Sequence, residues 1–225
     1  AITQSSNTYF FDLAYRSDIN QLNKHLLSLG FGDKACIDCF EEDKVFVPEP
    51  SWKMNKHNFG WFKGDTVNMG VGQGYLVSTP VQLAKYAYIM ANKGKFSDLS
   101  LKKDLVKSEK SIEFNKFSTD DWIKRPQSMI NVIAGNTGTA RRLREKKNYI
   151  VAAKTGTAEL VSGDNREQYS ETRLDDNLRD HALIIAFGPM PNPRYAVSVV
   201  VENGESGGSV AGPVAISVLN SLIQE

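Results

Sequence analysis

A β-prone run from Tyr149 to Ala153 leads straight into Lys154-Thr155-Gly156-Thr157-Ala158, and this segment constrains the fold more than any other stretch. Gly156 leaves such a strand bare, so an extended peptide can lie against it as an added antiparallel neighbour. Lys154 is a point charge able to attract a carboxylate and to bias a hydroxyl facing it, and Thr155 and Thr157 add hydroxyl donors. Far upstream, Ser5-Ser6-Asn7 offers a second polar group of the kind that starts helices and turns. Taken singly, each piece is ordinary surface chemistry. Acyl transfer needs an activated hydroxyl, a proton relay, oxyanion donors and a group that holds the substrate's carboxylate. The two segments together provide for the last three.

The chain has 225 residues, 41% of them hydrophobic, enough to bury the core of one large domain or two small ones. Lys plus Arg number 27 against 26 for Asp plus Glu. With no basic excess to hold a phosphate backbone, nucleic acid is not an expected partner. The apolar runs Ala182 to Met190 and Tyr195 to Val201 are too short to span a bilayer, and Ala1 opens no signal-peptide pattern. Any membrane anchor or export signal is therefore expected upstream.

Cys36-Ile37-Asp38-Cys39 has C-x-x-C spacing, but no second cysteine pair or βαβ pattern accompanies it, and His25, His57 and His181 are scattered. Two loop or core cysteines are expected, rather than a redox pair or half a zinc site. Gly70, Gly72 and Gly74 fit neither dinucleotide nor phosphate-loop spacing. No metal or cofactor is expected.

Helices are expected from the Ser5-Ser6-Asn7-Thr8 cluster through Tyr15 and from Asp18 to Leu29, where Ile19, Leu22, Leu26 and Leu29 recur at helical spacing. The region Phe31 to Tyr75 has no sustained period and is expected to be loop-rich. Thr79-Pro80-Val81-Gln82 combines an N-cap, a proline at the first helical position and a capping-box glutamine, opening a helix that Gly94 ends. Ser97 to Lys116 reads as a solvated surface element, and Asp120 to Ile133 as a helix bent or broken at Pro126. Strands follow at Tyr149 to Ala153, Ala182 to Phe187 and Tyr195 to Val201, the last two joined as a hairpin through Pro191-Asn192-Pro193. Gly163 to Arg179 is a long polar excursion, expected to be mobile. Gly212-Pro213 opens a final helix. Helices first and antiparallel strands later predict an α+β fold. Residues 1–140 form a mostly helical, loop-rich part, and 141–225 carry the sheet and last helix.

The motifs reach further in combination. Lys154 to Ala158 and Ser5-Ser6-Asn7 occur with Trp61, Gly64-Asp65-Thr66, Gly72-Gln73-Gly74, Thr79 to Ala84 and Gly138-Thr139-Ala140. Leu178-Arg179-Asp180-His181, Glu202-Asn203-Gly204 and Ala211-Gly212-Pro213 extend the set. So arranged, the chain resembles the transpeptidase domain of the class B penicillin-binding proteins from end to end, most of all the elongation-specific penicillin-binding protein 2 branch.

The resemblance implies a penicillin-binding protein and serine β-lactamase-like fold, an antiparallel sheet flanked by helices with a mostly helical subdomain. It implies a peptidoglycan D,D-transpeptidase that attacks the D-Ala-D-Ala end of a stem peptide and is acylated by β-lactams on the same serine. Ser5, Asn7 and Lys154 then match the proton relay and its organiser. Thr155, Gly156 and Thr157 match the strand that binds the substrate, with the main-chain N–H of Thr157 in the oxyanion hole. Some members carry a thiol at the middle of S-x-N as a metal ligand, which Ser6 replaces here. Wall-elongation membrane proteins are the implied partners, and the periplasmic side of a bacterial inner membrane the implied location. In the family an S-x-x-K helix precedes S-x-N, whereas the only S-x-x-K match here, Ser100-Leu101-Lys102-Lys103, follows it. The expectation is a domain whose N-terminal part, nucleophile included, lies before Ala1, so that this chain alone is inactive. A serine β-lactamase or D,D-carboxypeptidase, and a non-catalytic penicillin-sensing or scaffold domain, are the alternatives.

Overall fold

The computed structural model describes residues 1–103, 105, 109–111, 119–160 and 178–224. They form two compact units, one of Ala1 with Ser6–Phe117, the other of Ile2–Ser5 with Ser118–Glu225.

The first unit is helical: α1 (Asn7–Arg16), α2 (Ile19–Ser28), α3 (Pro50–His57), α4 (Lys63–Gly70) and α5 (Pro80–Ala91), then a small antiparallel pair, β1 (Lys95–Phe96) and β2 (Lys110–Ser111). Asp18 caps α2 by accepting from Gln21 N at 3.0 Å. At α5, Thr79 Oγ1 accepts from Gln82 N and Gln82 Oε1 accepts from Thr79 N, both at 3.1 Å. The region Phe31 to Tyr75 is loop-rich as expected, and carries two short helices, α3 and α4. Each is only 8 residues long, too short to show a period, and tertiary contacts hold them. Lys53 of α3, 5% exposed, pairs at 2.5 Å with Asp65 of α4, whose carboxylate also accepts from Phe62 N at 2.7 Å.

Cys36 and Cys39, expected as two loop or core cysteines, are joined by a disulfide. A bridge between Cys36 and Leu99 fixes one end of the turn, and the two Cα atoms lie 5.4 Å apart, within the span a disulfide needs.

The second unit carries α6 (Thr119–Ala134), a 3₁₀ turn (Arg141–Lys146), β3 (Ile150–Ala158), β4 (His181–Met190), β5 (Tyr195–Val201), a π-helical turn (Gly207–Ala211) and α7 (Gly212–Gln224). Of the two outcomes expected at Pro126, a break does not occur: α6 continues through it. Proline forfeits one backbone bond there, but Pro126, Met129, Val132 and Ile133 are all buried, and that packing holds the helix.

The sheet order is β3-β4-β5, antiparallel throughout. Register pairs Ala153 with Ala186 and Thr155 with Ile184, and these with Val197 and Val199 of β5. Alternation therefore turns one apolar set to a single face, where Val151, Ala153, Ala182, Ile184 and Ala186 pack with Val132, Leu143, Ile216 and Leu219 as the core. Among the described residues no helix is long and apolar enough to cross a membrane. Residues 161–177, most of the expected mobile excursion, lie outside the described residues.

Candidate active site

Lys154 and Gly156 share the face of β3 opposite the core set, while Thr155 and Thr157 alternate to the other. Among the described residues β3 pairs only with β4, leaving its outer edge open to an extended peptide. At Gly156 only Leu183 Cβ lies within 4 Å of where a side chain would begin, so that face is bare. Against its backbone stands Gly207, whose own Cβ would fall 2.7 Å from the Gly156 carbonyl oxygen.

The segment Ile2–Ser5 supplies the facing hydroxyl. Ser5 stands outside α1 in a turn, with φ 52 and its N–H on the Ile2 carbonyl at 3.2 Å. Two bonds fix this turn to the second unit: Thr3 Oγ1 donates to Ser128 O at 3.1 Å, and Thr139 N donates to Thr3 O at 3.4 Å. Lys154 Nζ then donates to Ser5 Oγ at 2.7 Å and to the Thr155 carbonyl at 2.5 Å. Burial pushes the Lys154 pKa down to about 8, because the charged form loses hydration. An ammonium in that range exchanges protons near neutral pH and is suited to a relay.

The structure thus brings Lys154 and Ser5 together. Asn7 is the first residue of α1 and belongs to the first unit. Thr155, 9% exposed, turns to Thr139, the two hydroxyl oxygens 2.7 Å apart. Thr157 Oγ1 is exposed and donates to the Glu205 carbonyl at 3.5 Å. Thr3 and Thr139 are parts of the site that residue-by-residue reading does not pick out. Thr139 lies in a recognisable Gly-Thr-Ala turn, but nothing in the sequence signals its contact with Thr155. Ser100 of the S-x-x-K match lies in the first unit, donating to Asp38 Oδ2 at 2.7 Å.

The model of the penicillin-binding protein transpeptidase domain matches residues 1–220. The chain belongs to the penicillin-binding protein transpeptidase family. Over 233 residues it is 34% identical to the peptidoglycan D,D-transpeptidase MrdA of Haemophilus influenzae, covering 100% of this chain and 36% of that protein. It thus spans about a third of the length of this relative. Among solved structures, penicillin-binding protein 2 of Pseudomonas aeruginosa superposes with a TM-score of 0.84 at 34% identity, over 100% of this chain and 48% of that one. Penicillin-binding protein 2 of Helicobacter pylori, solved in complex with MreC, gives 0.85 at 28% identity, over 100% and 39%. The antiparallel sheet with its helices is accordingly the α+β fold of penicillin-binding transpeptidase domains.

Proposed function

We propose that the protein is a peptidoglycan D,D-transpeptidase of the wall-elongation type, that it works through a serine acyl-enzyme, and that β-lactams acylate it. The observation that carries this reading is the Lys154 Nζ to Ser5 Oγ contact beside the open edge of β3. A stem peptide adds to that edge across bare Gly156, its terminal carboxylate toward Thr157 and the Lys154 charge.

The attacking hydroxyl is assigned to the serine of an S-x-x-K segment, the motif that the family carries ahead of S-x-N. It gives its proton to the lysine of that segment as its oxygen bonds to the penultimate D-Ala carbonyl carbon, and main-chain N–H groups of β3, that of Thr157 included, stabilise the developing oxyanion. The bond to the terminal D-Ala nitrogen breaks, and that amine leaves with a proton delivered through Ser5 and Lys154. An acceptor amine on a second stem peptide then attacks the ester, forms the cross-link and returns the serine. The protein is assigned to the periplasmic side of an inner membrane. Its partner class is a wall-elongation membrane protein, in keeping with the MreC complex of the Helicobacter pylori relative.

Intact-mass measurement of the whole encoded protein after benzylpenicillin tests the proposal. A stable covalent adduct is expected, with Lys154→Ala slowing its formation roughly 100- to 1,000-fold. No adduct at all, or rapid release of hydrolysed penicillin as from a β-lactamase, sinks it.

A further inference from the structure

We propose that His181 is a positioning residue for the far end of β3, acting through the main-chain bond it accepts from the loop between β5 and the π-helical turn. The inference rests on the function proposed above. His181 opens β4 and pairs across the sheet with Ala158, the last residue of β3. Its Nδ1 accepts from Asn203 N at 3.0 Å. An N–H donates here, so Nδ1 is bare and the ring proton sits on Nε2.

The loop that this bond holds is in a demanding conformation. Asn203 and Glu205 have φ 55 and φ 59, left-handed values that residues other than glycine keep only when their surroundings impose them. Two further bonds impose them: Asn203 Nδ2 donates to Arg179 O at 3.0 Å, and Glu205 N donates to Asp180 O at 2.8 Å. Both acceptors are backbone carbonyls, which any sequence supplies. His181 is the side-chain acceptor of the three, and so the one a substitution can remove. The Arg179 to Glu205 ion pair, at 3.6 Å with Glu205 60% exposed, adds little.

Displacing this loop displaces two features of the site. The Glu205 carbonyl is where the Thr157 hydroxyl rests, through a bond long enough at 3.5 Å to be exchanged for a ligand carboxylate. Two residues on, Gly207 stands against the backbone of Gly156 and Leu183. His181 thereby sets the starting position of the hydroxyl that meets the carboxylate without touching the ligand itself.

The test compares His181→Asn with His181→Leu and the smaller His181→Ala in the whole encoded protein. Asparagine keeps an acceptor, Oδ1, two bonds beyond Cβ as Nδ1 is, and the other two do not. Amide exchange at Asn203 and Glu205 is read alongside the second-order acylation rate with benzylpenicillin and with its methyl ester, which lacks the carboxylate charge. Loss of one net hydrogen bond predicts exchange about fivefold faster and acylation by the acid about fivefold slower in the Leu and Ala variants. The ester rate and the Asn variant should stay near wild type. Wild-type behaviour of the Leu and Ala variants overturns the inference. So does equal impairment of the Asn variant, or equal loss with acid and ester. A wild-type protein that takes no adduct instead sinks the proposed function and the positioning role together, and the exchange measurement then reports only a loop clamp.

Discussion

Lys154 donates to the Ser5 hydroxyl across 2.7 Å, and the burial that makes this contact possible holds the ammonium's pKa down to about 8, from an ordinary 10.5. The folded value lies below the unfolded one. Below about pH 8 both states carry the proton and the full cost of burying the charge is present. Between about 8 and 10.5 the unfolded chain binds the additional proton, so stability rises with pH through that window. Relative to Lys154→Met, the wild-type unfolding free energy should climb across it by up to roughly 3 kcal/mol. Urea denaturation of both proteins at several pH values reads this difference. A flat difference would mean that Lys154 is not buried as a cation.

Thr139 and Thr155 share a side-chain hydrogen bond of 2.7 Å, with Thr155 almost wholly buried. Valine at 139 keeps the shape and strands the Thr155 hydroxyl, whereas serine keeps the bond. Thr139→Val should cost about 1–3 kcal/mol and Thr139→Ser well under that. Chemical denaturation distinguishes them, and equal losses would show that methyl packing, not the hydroxyl, matters at 139.

Local signals made part of this molecule legible. The Thr79-Pro80-x-Gln82 pattern specifies its own cap through neighbours three residues apart, and the hydrogen bonds form as read. The strands β3, β4 and β5 follow from β-prone runs, and the motif residues Lys154 and Ser5 stand in hydrogen-bond contact. What escaped depends on partners distant in the chain. The left-handed turn at Ser5 is fixed by Ser128 and Thr139, and α3 is joined to α4 through Lys53 and Asp65. Pro126 sits in a helix that buried packing sustains against its lost bond. The Cys36 to Cys39 pair stood in plain C-x-x-C spacing, but spacing alone does not tell a disulfide from two free thiols.

Ser100 heads the S-x-x-K match, but its hydroxyl is engaged with Asp38 at 2.7 Å and accepts from Lys102 N at 2.9 Å. Both bonds belong to a surface turn, where Asp38 also accepts from Leu101 N at 2.8 Å. Ser100→Ala should leave penicillin labelling unchanged and cost about 1 kcal/mol of stability. Peptide mapping after penicillin treatment checks it, and an adduct on the peptide carrying Ser100 would reassign the nucleophile.

Gly207 stands against the backbone of β3 at Gly156. A Cβ there would stand 2.2 Å from the Leu183 carbonyl oxygen and 2.7 Å from that of Gly156. Both atoms are backbone, held in the β3–β4 ladder, so no side chain can rotate away to make room. Relief requires the π-helical turn to lift from the sheet or the two strands to part. Gly207→Ala should therefore cost about 3 kcal/mol or more, the upper range for overpacking. Because the displaced backbone is that of Gly156, penicillin acylation should slow in the protein that still folds. Gly60→Ala is the control: nothing lies within 4 Å of a Cβ at Gly60, and a change within about 0.5 kcal/mol is expected. If urea denaturation finds Gly207→Ala as stable as Gly60→Ala, the turn is not seated on Gly156, and the strand keeps its shape without that support.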